Sequence, residues 1–474
     1  MSFPHALRNT IYQLLGRALS VLFGIFALGI LTRYLGTEQF GWYTTVMTFL
    51  QFFAIIADFG LTLITTQMIS EPNAQENHLI NNIFTLRLVI SIVLFGSACA
   101  LIWFMPYNNE IKWGVLAASG AIFFISLQNI LQGLFQKHLH MEKVALGDVL
   151  GRAIIFAGFV VAVLLKMNLM TIFLVHVAAN ALQFFLLYFF TARYITLHFA
   201  WHAPTIKKIC TRSWPIAISM VFNLIYLKAD TLILSLSHTQ TEVGLYGAAY
   251  RVIEVLSAIP VMFMGIVLPL LTYHWSANKM EFKSYFQNTF DAMTLMGLPV
   301  VVGGIMVATP LMSTFAGAAF APSGAYLQIL LLALLAIFFG ALSGHTIVAL
   351  NKQRVMVWGY VIDAIISFIL YLILIPRFGA RAAAWITVFS EVFILFMTWY
   401  VVWRESHLVP RGKTFAKIIA SCTAMGIILY VTRAIPLFVQ ISAGAGTYIG
   451  MIFATKALTP TGVRALFKHT SHAV

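Results

Sequence analysis

Long apolar runs make up almost the whole chain, about fourteen of them, each near the twenty or so residues that an α-helix needs to cross a hydrocarbon core of about 30 Å. Only helices and closed barrels satisfy their backbone groups in that solvent, and continuous apolar runs without a strand's alternation exclude the barrel. Of the 474 residues 61% are hydrophobic and 9% charged, too few charges to cover a water-soluble domain. The runs therefore predict an all-α polytopic membrane protein whose excess apolar surface faces lipid.

The spans read as 11–33, 42–68, 79–105, 113–135, 146–165, 170–194 and 214–236, then 243–273, 286–309, 325–350, 355–375, 379–403, 415–433 and 437–455. The first run is too long for a signal-peptide core of about 7–15 residues and reads as a span. Pro260, Pro269, Gly297, Pro299, Gly303 and Gly304 are expected to bend spans eight and nine, because proline removes a helical donor and glycine loosens the ladder. An even number of spans places both termini on one side. The opposite side carries only Arg33, Lys112, Lys166, Arg377, Arg381 and Arg433, outnumbered roughly three to one, so both termini are expected in the cytoplasm, with the chain in the cell (inner or plasma) membrane.

The net charge of +14 is thus a topology signal spread over short loops, not a face for nucleic acid. Cys99, Cys210 and Cys422 are scattered and suggest neither a disulfide framework nor a metal cluster. His198 and His202, four apart in a basic loop, lack further ligands nearby, so no metal site is expected. No glycine loop followed by Lys and Ser/Thr is present, which excludes ATP hydrolysis of that type, and no cofactor is expected.

The segment Gly36-Thr37-Glu38-Gln39-Phe40-Gly41-Trp42-Tyr43, read as the joint between spans one and two, has an echo at Thr241-Glu242-Val243-Gly244-Leu245-Tyr246 between spans seven and eight. Six spans separate the copies, and an even offset relates two parallel halves about an axis along the membrane normal. The expected organisation is a six-helix lobe at 1–200, a second at 201–410, and two added helices with a cytoplasmic tail at 411–474.

These blocks carry a resemblance. Arg33 to Tyr43, the run Ala57-Asp58-Phe59-Gly60-Leu61, Trp214-Pro215-Ile216, Lys228-Ala229-Asp230 and Val243 to Arg251 are similar to the polysaccharide transporter (Wzx-like) oligosaccharide flippases of the MOP superfamily. The resemblance implies a two-lobed bundle with a central cavity. It implies a transporter, not an enzyme, that moves a polyprenyl-diphosphate-linked oligosaccharide from the cytoplasmic to the outer leaflet by alternating access, for cell-surface polysaccharide synthesis. Partners implied are the lipid-linked sugar, membrane lipid, polysaccharide polymerases or glycosyltransferases, and a coupling H⁺ or Na⁺. Two other readings stay open, a MATE-like cation-coupled exporter and a polytopic glycosyltransferase or polymerase. The second usually has a sizeable polar catalytic loop, and this sequence has none.

Ionisable residues inside spans cost roughly 2.5–3.5 kcal/mol each and mark function or pairing. Here they are Arg17, Asp58, Arg87, Asp148, Arg152, Lys228, Asp230, Arg251, Glu254, Asp291, Asp363 and Glu391. Helical spacing lets Asp148 pair with Arg152 and Arg251 with Glu254, whereas Lys228 and Asp230 point apart. Arg17, Arg87, Arg251 and Lys228 are the candidates for a diphosphate, because a guanidinium fork matches phosphate oxygens; the other reading has the arginines locked onto Asp58 or Asp291. Asp58, Asp230, Glu254, Asp363 and Glu391 are the candidate structural and coupling acids, and Asp363 and Glu391 lack a base one turn away, so either can carry a proton.

Overall fold

A computed structural model describes residues 3–72 and 74–457, with the side chains of 3–15, 17–18, 219 and 223–227 outside the description. The described residues form helices, turns and short connections, without a strand among them. In chain order the helices are α1 (Phe3–Asp58), α2 (Leu61–Ile69), α3 (Glu76–Leu101), α4 (Asn109–Lys137), α5 (Met141–Leu164), α6 (Leu169–Thr191) and α7 (Ala203–Ser237). There follow α8 (Gln240–Ala277), α9 (Lys279–Ala316), α10 (Ser323–Ala349), α11 (Gln353–Ser406), α12 (Gly412–Val431) and α13 (Leu437–Ala454). Among the described residues eleven helical stretches are long and apolar enough to cross a membrane, and the protein is an all-α, multi-pass membrane protein.

Asparagine sets three of the starts. The side chains of Asn108, Asn168 and Asn278 accept backbone N–H bonds from Ile111, Thr171 and Met280 at 3.0–3.1 Å, closing the first turns of α4, α6 and α9.

Two helices meet at Gly36, whose non-helical angles (φ 68°, ψ −176°) break α1 where spans one and two are expected to join, and the chain is helical again through Thr37 to Tyr43. A second break of this kind, at Gly379 (φ 60°, ψ −145°), divides α11. Conversely the expected single span 42–68 is broken, because Phe59 (φ 47°) and Gly60 (φ 71°) both take left-handed angles and separate α1 from α2. Pro260 and Pro269 lie inside α8, and Pro299 and Pro310 inside α9.

The chain falls into two compact units, Met1–Gly247 with Tyr371–Gly379, and Ala248–Leu370 with Ala380–Val474. Because lipid is as apolar as a leucine side chain, close packing and polar contacts, not water exclusion, hold such helices together. In the first unit Leu61, Ile83, Leu86, Ile130 and Ile209 interlock α2, α3, α4 and α7. In the second, Leu298, Cys422, Met425 and Tyr448 join α9, α12 and α13, and the Tyr448 hydroxyl donates to the Leu295 carbonyl at 2.7 Å.

The two echo segments meet within the first unit. A Cβ on Gly41 would lie 1.7 Å from the Gln240 carbonyl oxygen, and one on Gly244 would lie 2.0 Å from the Thr37 carbonyl oxygen. Aligned on Gly41 and Gly244, Thr37 and Gln240 are the equivalent residues, so each copy lays its glycine on the other's backbone. Thr45 seals the crossing by donating to the Gln240 side chain at 2.7 Å.

Candidate functional site

Asp58 is the last residue of α1, and the left-handed pair after it turns the chain away, leaving the carboxyl at a helix end instead of on a helix flank. Arg87, from α3, reaches it: one guanidinium nitrogen lies 2.9 Å from Asp58 Oδ1. Two further nitrogens are engaged. Nη1 donates to the Ala57 carbonyl at 2.8 Å and Nε to the Ser126 hydroxyl at 2.6 Å, and Ser91 extends the chain to Ser126 at 2.8 Å. Thr62, one turn beyond Asp58, donates to the same Oδ1.

Arg87 is 1% exposed, so the guanidinium has left solvent entirely. Taking such a pair out of water costs several kcal/mol per ion, recovered only through good geometry and further hydrogen bonds, which Ala57, Ser126 and Thr62 supply. One atom breaks the pattern: Asp58 Oδ2 is buried and has no partner among the described residues. A buried acceptor left unmade costs about 1–3 kcal/mol. Asp58, Arg87, Ser126 and Asn129 line a cavity of about 340 Å³ whose remaining wall, Ala54, Ile55, Ile122, Ile125 and Met220, is apolar. The site thus offers a compensated cation, a spare carboxylate lone pair and an amide beside a mostly apolar space, a setting for a polar headgroup with an attached chain.

The other candidates separate. Asp291, the alternative partner for an arginine, receives Gln287 instead at 3.0 Å. Arg251 pairs with Glu254 one turn on at 2.7 Å, as the spacing indicates, and the two are about one-third exposed. Asp230 is buried, accepting from Tyr246 and from Thr231 N–H, while Lys228 beside it is half-buried. Asp363 lies in the second unit, where Ser390 donates to it at 2.6 Å and Ser367 at 3.3 Å; Glu391 follows Ser390 and is half-buried. Asp148 takes a bond from Gln183 on α6 at 2.7 Å, and Arg152 is exposed. The side chain of Arg17 lies outside the described residues. His176 and His345 are packing residues, the first bonded to Tyr43 at 3.0 Å and the second to the Ala341 carbonyl at 2.7 Å. Among the described residues no group of three or more His, Cys, Asp or Glu is placed to hold a metal ion.

Reading the sequence for charge missed Ser126, Ser91, Thr62 and Asn129. Hydroxyls are common in membrane helices because they can bond the carbonyl one turn back. Nothing in their spacing sets these apart from Thr65 or Thr191, which do just that.

The bundle of long apolar helices, with a buried ion pair beside a cavity, defines a multi-pass membrane protein. Its fold is similar to that of a lipid II flippase MurJ in an inward closed conformation, with a TM-score of 0.77 over 94% of this chain and 98% of that one at 14% identity. In sequence the chain is 24% identical over 374 residues to a probable low-salt glycan biosynthesis flippase of Haloferax volcanii, covering 76% of this chain and 75% of that protein. It is 23% identical over 399 residues to a Shigella flexneri protein named for O-antigen transport, covering 80% and 93%. The family described as polysaccharide biosynthesis protein matches residues 6–275, more than half of the chain, and the chain belongs to that family.

Proposed function

We propose that the protein is a flippase that carries polyprenyl-diphosphate-linked oligosaccharide from the cytoplasmic to the outer leaflet for surface polysaccharide synthesis, by alternating access and without chemistry of its own. One observation carries the reading: a fully buried arginine, neutralised by Asp58, beside a cavity in a lipid-facing bundle. An arriving diphosphate offers Arg87 a second anion, with stronger charge than one carboxylate. Asp58 is then released toward hydroxyls of the sugar or toward a proton. Arg17 on the cytoplasmic half and Lys228 and Arg251 on the outer half continue the path. The polyprenyl tail stays in lipid.

The lobes at 1–200 and 201–410, the added helices at 411–474, the total of fourteen spans and the cytoplasmic termini in the cell membrane belong to this proposal; the excess of basic residues on the terminal side supports the orientation. Curated relatives named for glycan and O-antigen transport favour it over a drug exporter or a glycosyltransferase. Polymerases or glycosyltransferases that make and consume the lipid-linked sugar are the expected partners.

Vesicles containing the protein should expose a fluorescent polyprenyl diphosphate sugar to an external quencher far faster than protein-free vesicles. No acceleration with any such lipid defeats the proposal. Asp363 and Glu391 are the coupling acids in this scheme. Asp363→Asn and Glu391→Gln keep acceptor oxygens but cannot release a proton, so transport should lose its response to an imposed pH gradient. An unchanged response in both variants removes these acids from coupling.

A further inference from the structure

A second cavity, of about 530 Å³, lies in the second unit and takes no part in the scheme above. Its lining comes from three helices. Ala325, Gln328, Ile329 and Leu332 repeat at helical spacing and form one face of α10; Arg381 and Trp385, four apart, form one face of α11 just past the Gly379 break; Ile305 of α9 completes the wall. Arg381, Gln328, Leu332 and Trp385 are all exposed. Five of the seven lining residues, Ile305, Ala325, Ile329, Leu332 and Trp385, are apolar, as expected of a surface that meets acyl chains.

The polar groups are few and open. Arg381 makes no hydrogen bond or ion pair among the described residues. Gln328 is anchored through its amide nitrogen, which donates to the Ile305 carbonyl at 3.0 Å, and its side-chain oxygen remains an unused acceptor. At the outer interface a guanidinium without a protein partner is satisfied by a headgroup phosphate, and the tryptophan beside it sits where headgroup meets chain. With both termini cytoplasmic, as the proposed function has it, the α9–α10 connection and the Gly379 break lie on the outer side, so the site opens to the outer leaflet.

We propose that this cavity binds a glycerophospholipid of the outer leaflet: Arg381 holds the phosphodiester, the Gln328 oxygen accepts from a headgroup hydroxyl or ammonium, and an acyl chain lies along Ile305, Ile329 and Leu332 against Trp385. Position separates this site from the first: Arg381 stands exposed at the outer side with no ion pair among the described residues, whereas Arg87 is buried against Asp58.

The test uses the purified full-length protein in detergent, titrated with phosphatidylglycerol bearing brominated chains, which quench nearby tryptophan. Quenching should include a component that disappears in Trp385→Phe. In Arg381→Gln, a surface change that should leave the melting curve in place, the lipid needed for half of that component should rise about tenfold, the loss expected for one charge-assisted bond pair. Arg381→Lys should recover part of it. Equal titrations for the parent and Arg381→Gln overturn the site. Displacement of the brominated lipid by an equimolar polyprenyl diphosphate overturns the phospholipid assignment. Because the readout involves no flipping, a protein that binds phospholipid here yet moves no oligosaccharide refutes the function proposed above and leaves this site standing.

Discussion

Replacing Arg87 with alanine is expected to abolish transport and to destabilise the protein by about 3–5 kcal/mol, because it leaves the Asp58 carboxylate buried without its cation. Thermal unfolding in detergent measures the second effect directly, and appearance of surface polysaccharide in a strain lacking its own flippase measures the first. Asp58→Asn should cost less. Thr62 and the Arg87 guanidinium can both still donate to the amide oxygen, although the charge balance is lost. The informative variant is the double one. A buried ion pair exchanged for apolar residues of similar volume is often neutral, so Arg87→Met with Asp58→Leu should restore the melting temperature while transport stays absent. That outcome separates a cation kept for its substrate from a pin that merely fixes α1 to α3. Recovery of transport in the double variant would leave the pair a structural role only and would sink the diphosphate scheme.

How far this site could be foreseen depends on the kind of side chain. Charges inside spans stand out against an apolar background, so Asp58 and Arg87 were legible as candidates, and the alternative in which they meet each other was open from the start. Their meeting was not legible, since Asp58 reaches Arg87 only because Phe59 and Gly60 turn left-handed and end α1 there. A phenylalanine at positive φ has no sequence signature. Helix existence follows from length and hydropathy, and the breaks at Gly36 and Gly379 fall at the boundaries of the expected spans, while the break at Phe59 and Gly60 divides a run that hydropathy leaves continuous. Arg381 was read as a loop charge that sets topology, and only the packing of α9, α10 and α11 turns it into part of a cavity.

The echo around Gly41 and Gly244 leads to the second large effect. Gly41→Ala and Gly244→Ala should each destabilise the protein at or above the 1–3 kcal/mol usual for overpacking, because the added methyl meets a backbone carbonyl and not the movable end of a side chain. The penalties should also fail to add. Both methyls press the same two helices apart at one reciprocal crossing, so once the first has widened it the second meets less resistance, and the double variant should cost less than the sum of the singles. A pair of unrelated glycines would give a plain sum. Thermal unfolding of the four proteins, parent, two singles and double, decides this. Because the crossing joins the start of α8 to α1 beyond Gly36, a wedge there should also slow transport in vesicles if these helices must repack in each cycle, and full-rate transport by a destabilised Gly244→Ala protein would show that the crossing stays shut throughout.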